Sequence, residues 1–184
     1  RDFFPMLLSP SANADDAVKI LKELGLDIPA EKIGIIAMRP DNPHLVPSLN
    51  GRQNAALIYS TILNIISEAP DNGQKSVSIH DGDKSFLLLY RHNSKVSLRE
   101  MHSEIYSYCM YIRDTVIKYL NISVSFGIGA ICAGASDLPF AFTEAFNTLE
   151  TRFFKGSGSI CFKEDQAKSV QADGAIAEKF PFRY

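Results

Sequence analysis

Long apolar runs, paired cysteines and any marked excess of charge are all missing from this sequence. No apolar run reaches the roughly 18 residues that a membrane-spanning helix needs. Arg1 to Pro10 has a charge at each of its first two positions and then only a short apolar stretch, which is not the pattern of a signal peptide. Cysteine occurs three times, at Cys109, Cys132 and Cys161, with wide spacing and no CxxC. An odd, scattered set argues against a disulfide framework or a zinc site, and three free thiols in a reducing cytoplasm are expected. The formal net charge is -2. Proteins that grip nucleic acid usually present a basic excess, so direct contact with nucleic acid is not expected.

What is present is ordinary for a globular domain. The chain has 184 residues, 46% of them apolar and 22% charged, long enough for a single core without staples. It starts at Arg1 rather than at a methionine and stops at Tyr184, so it reads as a fragment of a longer protein.

Periodicity predicts alternating helices and strands. Asp15 to Leu26 places Val18, Leu21 and Leu24 on one face of a short helix. Lys32 to Met38 is a compact buried strand that Pro40 should stop. Arg52 to Glu68 has Ala55, Ile58, Ile62 and Ile65 at helical spacing. Lys75 to His80 and Ser85 to Tyr90 are strand-like runs around Asp81–Gly82–Asp83, a hairpin signal because Asp and Gly tolerate the positive φ of tight turns.

Ser97 to Leu120 is the longest expected helix. Its apolar face is Leu98, Met101, Ile105, Tyr108, Ile112, Val116 and Tyr119, and Ser97 with Glu100 makes a capping box. A strand follows at Ile122 to Ile131. Ser136 is expected to cap a helix bearing Leu138, Phe142, Ala145, Leu149 and Phe153, and Ser159 to Phe162 makes a last strand. The pattern fades after Asp165. The fold class is therefore α+β: a mixed, mostly antiparallel five-stranded sheet, with the hairpin in its middle and helices on both faces. Residues 1–165 form the domain and 166–184 a linker.

This order of elements resembles the GGDEF-type domain, the fold of the cyclases that make cyclic di-GMP. Their signature loop sits on the central hairpin, where this chain has Asp81, Gly82, Asp83, Lys84 and Ser85. A closer resemblance lies in the C-terminal half. Val124–Ser125–Phe126–Gly127–Ile128–Gly129, the Ala141 to Ala145 step and Leu149 to Gly156 are similar to the middle domain of large AraC-type transcription regulators. Phe3–Phe4, Leu7–Leu8 and Phe180–Pro181–Phe182 fit the two ends of that domain. The resemblance implies a non-catalytic regulatory module between an upstream receiver or sensor and a C-terminal helix-turn-helix pair. A small-ligand sensor using the degenerate cyclase pocket is the alternative.

Cyclase chemistry itself is not expected. Phosphoryl transfer needs carboxylates that hold Mg²⁺ against a triphosphate. Ile35 to Arg39 contains no acid, and Asp41 comes only beyond Pro40. Asp83 is the one remnant on the hairpin, and Lys84 beside it would repel a metal. The product-binding Arg-x-x-Asp motif of that family is absent before Gly82. The signature residues are thus a degenerate, non-catalytic remnant, with no cofactor and no metal expected.

Other features favour plain readings. Gly127-x-Gly129 lacks a following phosphate loop, so close packing of a helix on the strand is expected. His44, His80, His92 and His102 show no ligand spacing. Glu100 and Glu104 share one side of their helix and look solvated. Phe140, Phe142, Phe146, Phe153 and Phe154 are mainly core, with a surplus for docking. The candidate interaction surface is Phe4, Leu8, Phe140, Phe154 and Phe182, with a weak homodimer as one outcome.

Overall fold

The computed structural model describes residues 14–23, 32–42, 52–70, 77–81, 85–92 and 95–163. The elements are α1 (Ala14–Glu23), β1 (Lys32–Pro40), α2 (Arg52–Glu68), β2 (Val77–Asp81), β3 (Ser85–His92) and α3 (Leu98–Leu120), then β4 (Val124–Ile128), a 3₁₀ turn (Ala135–Asp137), α4 (Leu138–Glu150), α5 (Arg152–Lys155) and β5 (Ile160–Phe162). The sheet runs β2-β3-β1-β4-β5. Four strands are antiparallel to their neighbours, and the three-residue β5 adds parallel to β4.

The hairpin therefore does not occupy the middle of the sheet, as its sequence suggested. β2 is an edge strand and β1 is central. Local turn chemistry can establish that β2 and β3 pair, but it carries no information about which later strand joins β1.

Alternation in β1 divides the core into two layers. Ile36 and Met38 face α2 and α3 in a cluster with Ile62, Phe86, Tyr90, Ile105, Ile112 and Phe126. Ile33, Ile35 and Ala37 face α4 in a second cluster with Leu87, Leu89, Leu138, Phe142 and Leu149. Helices thus cover both faces. α1 packs beside α4 and the 3₁₀ turn.

Local signals set several boundaries. The Ser97 Oγ accepts from the Glu100 amide at 3.2 Å, and the Glu100 carboxylate accepts from the Ser97 amide at 3.0 Å. This is the expected capping box. Its bonds from the Ser97 hydroxyl and amide, with His92 nearby, hold the Glu100 carboxyl below the usual carboxylate range. The box therefore holds above that range and opens as pH falls through the lowered value. Asn121, at φ 53°, closes α3 through its amide to the Ile117 carbonyl at 2.9 Å.

Several features differ from expectation, among them β4, which spans Val124–Ile128 rather than Ile122 to Ile131. β1 continues through Arg39 and Pro40, which pair with Ser125 and Val124, because proline is tolerated at a strand end. Ser136 lies in the 3₁₀ turn and caps nothing; α4 starts at Leu138 with a proline in its first turn. Leu98, Tyr119 and Phe153 are 53%, 67% and 75% exposed, so none of them belongs to the buried face expected of its helix. Cys109, Cys132 and Cys161 are free and buried, and burial pushes the Cys132 thiol up to about 12.

Gly127 and Gly129 bring α4 onto β4 without intervening side chains. A Cβ on Gly127 would lie 2.2 Å from the Leu149 amide nitrogen and 2.3 Å from the Ala145 carbonyl oxygen; one on Gly129 would lie 2.5 Å from the Ala141 carbonyl oxygen. The packing reading of Gly-x-Gly is thus correct. Gly127→Ala must displace helix backbone and is expected to destabilise the domain by about 3 kcal/mol. Gly134→Ala, whose Cβ would meet only Ser136 Oγ at 3.9 Å, should change stability by less than about 0.5 kcal/mol. Denaturant midpoints of the two variants check this.

Candidate functional site at the hairpin end of the sheet

The antiparallel register brings the end of β1, the start of β3 and the start of β4 to one end of the sheet. Met38 pairs with Phe86, Arg39 with Ser125 and Pro40 with Val124. Asp81 closes β2 opposite Ser85. Of the expected signature residues, Asp81 and Ser85 are thus placed at this end. Gly82, Asp83 and Lys84 lie outside the described residues.

Arg39 joins three elements here. Its Nε donates to Ser85 Oγ at 2.9 Å, and its Nη1 donates to Glu150 Oε1, at the end of α4, at 2.8 Å. Ser85 is only 1% exposed, so a guanidinium stands directly over the base of the hairpin. The ion pair is partly solvated, 27% exposed at Arg39 and 46% at Glu150, and stabilises the fold by under about 1 kcal/mol. Its larger consequence is the sign of charge at this point.

Asp41 is the acid that follows β1, and its partners are far away in sequence. The Ser123 hydroxyl donates to Oδ2 at 2.6 Å, the Gly158 amide donates to Oδ2 at 2.8 Å, and the Ser125 hydroxyl donates to Oδ1 at 2.6 Å. The Asp41 amide donates to the Ser123 carbonyl at 2.9 Å. Ser125 Oγ in turn accepts from the Ser159 amide at 3.2 Å. Gly158 has φ 75°, a conformation that glycine adopts without strain. Its carbonyl accepts from Arg113 Nη1 at 3.3 Å. Asp41 therefore ties the end of β1 to β4 and to the turn before β5.

Sequence reasoning found Asp41 only as an acid on the wrong side of a proline. Its partners are 82, 84 and 117 residues away, and no local pattern marks such a contact. The described residues at this end do not fit a divalent cation. Both Asp41 oxygens already accept short hydrogen bonds, and a guanidinium occupies the last side-chain position but one of β1. Among the described residues no group of three or more His, Cys, Asp or Glu side chains converges to hold a metal.

The remaining candidates are distributed elsewhere. Glu100 caps α3, and Glu104 accepts from His92 Nε2 at 3.0 Å and from the Tyr90 hydroxyl at 3.4 Å. The expected solvated face of α3 is thus partly a tether to β3. His102 packs against Phe162. Phe142 is buried and Phe146 packs against the α4-side core. Phe140 and Phe154 are 61% and 93% exposed, so the aromatic surplus is on the surface, more of it than core packing suggested. Phe4, Leu8 and Phe182 lie outside the described residues.

Solved structures with this arrangement are GGDEF-type domains. The GGEEF domain of a diguanylate cyclase from Vibrio cholerae aligns with TM-score 0.57 at 12% identity, over 79% of this chain and 88% of that chain. An EAL/GGDEF domain protein from M. capsulatus aligns with TM-score 0.57 at 18% identity, over 78% and 92%. Diguanylate cyclase SiaD from Pseudomonas aeruginosa, solved with its activator SiaC, aligns with TM-score 0.58 at 13% identity, over 81% and 55%. No protein-family model and no curated protein matches the chain in sequence. The chain has a GGDEF-like α+β fold; at these identities the likeness extends to the fold alone. No described helix is long and apolar enough to cross a membrane.

Asp41→Ala removes three accepted hydrogen bonds at the junction of β1, β4 and β5. Bonds to charged groups are worth roughly 1.5–3 kcal/mol each before solvent and relaxation reduce them, and a net loss of about 2 kcal/mol is expected. Asp41→Asn keeps one acceptor and should lose about 1 kcal/mol. Equal, negligible losses in urea unfolding would show that the junction holds without the carboxylate.

Proposed function

We propose that this chain is a non-catalytic GGDEF-like module of a cytoplasmic AraC-type transcription regulator. It passes a signal from an upstream receiver or sensor domain to a C-terminal helix-turn-helix pair. The carrying observation is the Arg39 guanidinium, bonded to Ser85 and Glu150. A cation there repels the Mg²⁺ that phosphoryl transfer must hold between β1 and the hairpin, where an acid would be needed as its ligand. The bonds to both Asp41 oxygens support the same reading. The AraC context rests on the resemblance of the Val124 to Gly129, Ala141 to Ala145 and Leu149 to Gly156 runs.

The alternative, a small-ligand sensor at the degenerate hairpin pocket, shares the same residues, and no observation at that end favours it over a relay. In either case the module needs no cofactor. With GTP and Mg²⁺ it is expected to yield no cyclic dinucleotide. Product above a protein-free control, and lost in Asp83→Ala, would overturn the reading. The net charge of -2 gives little of the electrostatic term behind non-specific DNA affinity. No sequence-specific gel shift is therefore expected at physiological salt.

A weak homodimer through Phe4 and Leu8 belongs to the same proposal, because helix-turn-helix regulators act as dimers on paired half-sites. Sedimentation at rising concentration should show association that Phe4→Ser with Leu8→Ser abolishes. A strict monomer, unchanged by these substitutions, would leave only an intramolecular relay.

A further inference from the structure

The opposite end of the sheet holds a cavity of about 310 Å³ lined by Leu98, His102, Gly129, Ala130, Ile131, Phe162 and Lys163. The hairpin-end residues Arg39, Asp41 and Ser85 do not line it.

Its floor is an irregularity in the sheet. The Gly129 amide bonds the Ile35 carbonyl at 3.1 Å, and Cys132 exchanges two bonds with Ile33, at 2.8 and 2.9 Å. Between these points β1 has only Gly34, while the other chain segment has Ala130 and Ile131. This is a β-bulge, a device that re-aims backbone and commonly borders binding sites. The Ala130 amide has left the ladder and donates instead to Glu144 Oε2 at 3.2 Å.

The walls are apolar and aromatic. Leu98, Ile131 and Phe162 supply apolar surface, and the His102 and Phe162 rings are tilted at 58° with centroids 5.1 Å apart. Lys163 stands at the rim. Its ammonium pairs with Glu144 and lies 4.8 Å from the Phe140 ring centroid. An ammonium has three donors, and Glu144 engages one. The Glu144 side chain is 12% exposed and Lys163 is 43% exposed, so the cation faces solvent more than its counter-ion does.

We infer that this cavity binds a small planar aromatic carboxylate. Ligand sites run from roughly 300 to 1,000 Å³, so this cavity, at the small end of that range, suits one or two rings. The ring would lie among Phe162, Ile131 and Leu98, because aromatic contacts favour offset or edge geometry. The carboxylate would accept from the remaining Lys163 donors, a charge-assisted bond. Glu144 does not repel it decisively, because Lys163 and the Ala130 amide already engage that carboxylate. Phe162 ends β5, so an occupant would touch that strand. This site does not depend on whether the hairpin end is catalytic.

The test is a titration of the whole ¹⁵N-labelled chain with indole-3-carboxylate to about 5 mM, enough to load a millimolar site. Saturable amide shifts are expected at residues 98–102, 129–131 and 162–163. Neutral indole should bind about five- to tenfold more weakly, the value of one charge-assisted bond, and cyclohexanecarboxylate should bind more weakly still. Lys163→Met should reduce the affinity for indole-3-carboxylate to that for indole. Leu98→Trp, at a half-exposed position, should fill the mouth and abolish the shifts while the spectrum remains folded. Asp41→Asn, at the other end, should leave the affinity unchanged. Absence of saturable shifts, equal binding of cyclohexanecarboxylate, or an unchanged affinity in Lys163→Met would each overturn the inference.

Discussion

Burial of β1 on both faces is the constraint on which the rest of the fold depends. Ile33, Ile35, Ile36, Ala37 and Met38 are each at most 1% exposed. A strand with no solvent face must have neighbours on both edges and a layer over each side. β3 and β4 supply the edges through antiparallel ladders. α3 with α2, and α4, supply the layers. A one-residue slip of β1 would exchange the two sets of side chains and put Gly34 where Ile35 now fills the α4 side. The register is therefore set by both cores together.

The two layers meet the sheet by different means. On the α3 side, large side chains such as Phe86, Tyr90, Ile105 and Phe126 fill the gap. On the α4 side, Gly127 and Gly129 remove side chains so that helix backbone touches the strand. A helix held by side chains can shift as rotamers change, whereas backbone contact leaves almost no slack. α4 is thereby the rigid member. Glu150 and Glu144 ride on it, and they pair with Arg39 at one end of the sheet and Lys163 at the other.

Much of this was legible in the residues, where the relevant signal is local. The limits of α2, the capping box of α3, the β2–β3 hairpin and the packing role of Gly127 follow from spacing within a few turns. Strand order did not, because nothing near Asp81 or Gly82 states which strand will lie beyond β1. Asp41 was legible as an acid but not as a junction, since Ser123, Ser125 and Gly158 reach it only after the sheet has formed. Ser136 misled because a hydroxyl ahead of an apolar run is a cap signal that Pro139 and the 3₁₀ turn displace. Phe153 was assigned too freely to the core face of α4, because it lies on the separate short helix α5, none of whose residues is buried.

The two ends of the sheet therefore have different chemical characters on one frame. At the hairpin end, Arg39, Asp41 and Ser85 bond to one another's elements, and every strand terminus there is tied to a neighbour. Such an end is suited to holding β1, β3, β4 and β5 in a single arrangement. At the other end the ladder is interrupted by the Ala130–Ile131 bulge, and the cavity opens beside it. A change there acts on Phe162 and on α3 at Leu98 without breaking a core contact of β1. An occupant of the cavity would therefore bear on β5 and the first turn of α3, while α4 stays held by its backbone contact with β4.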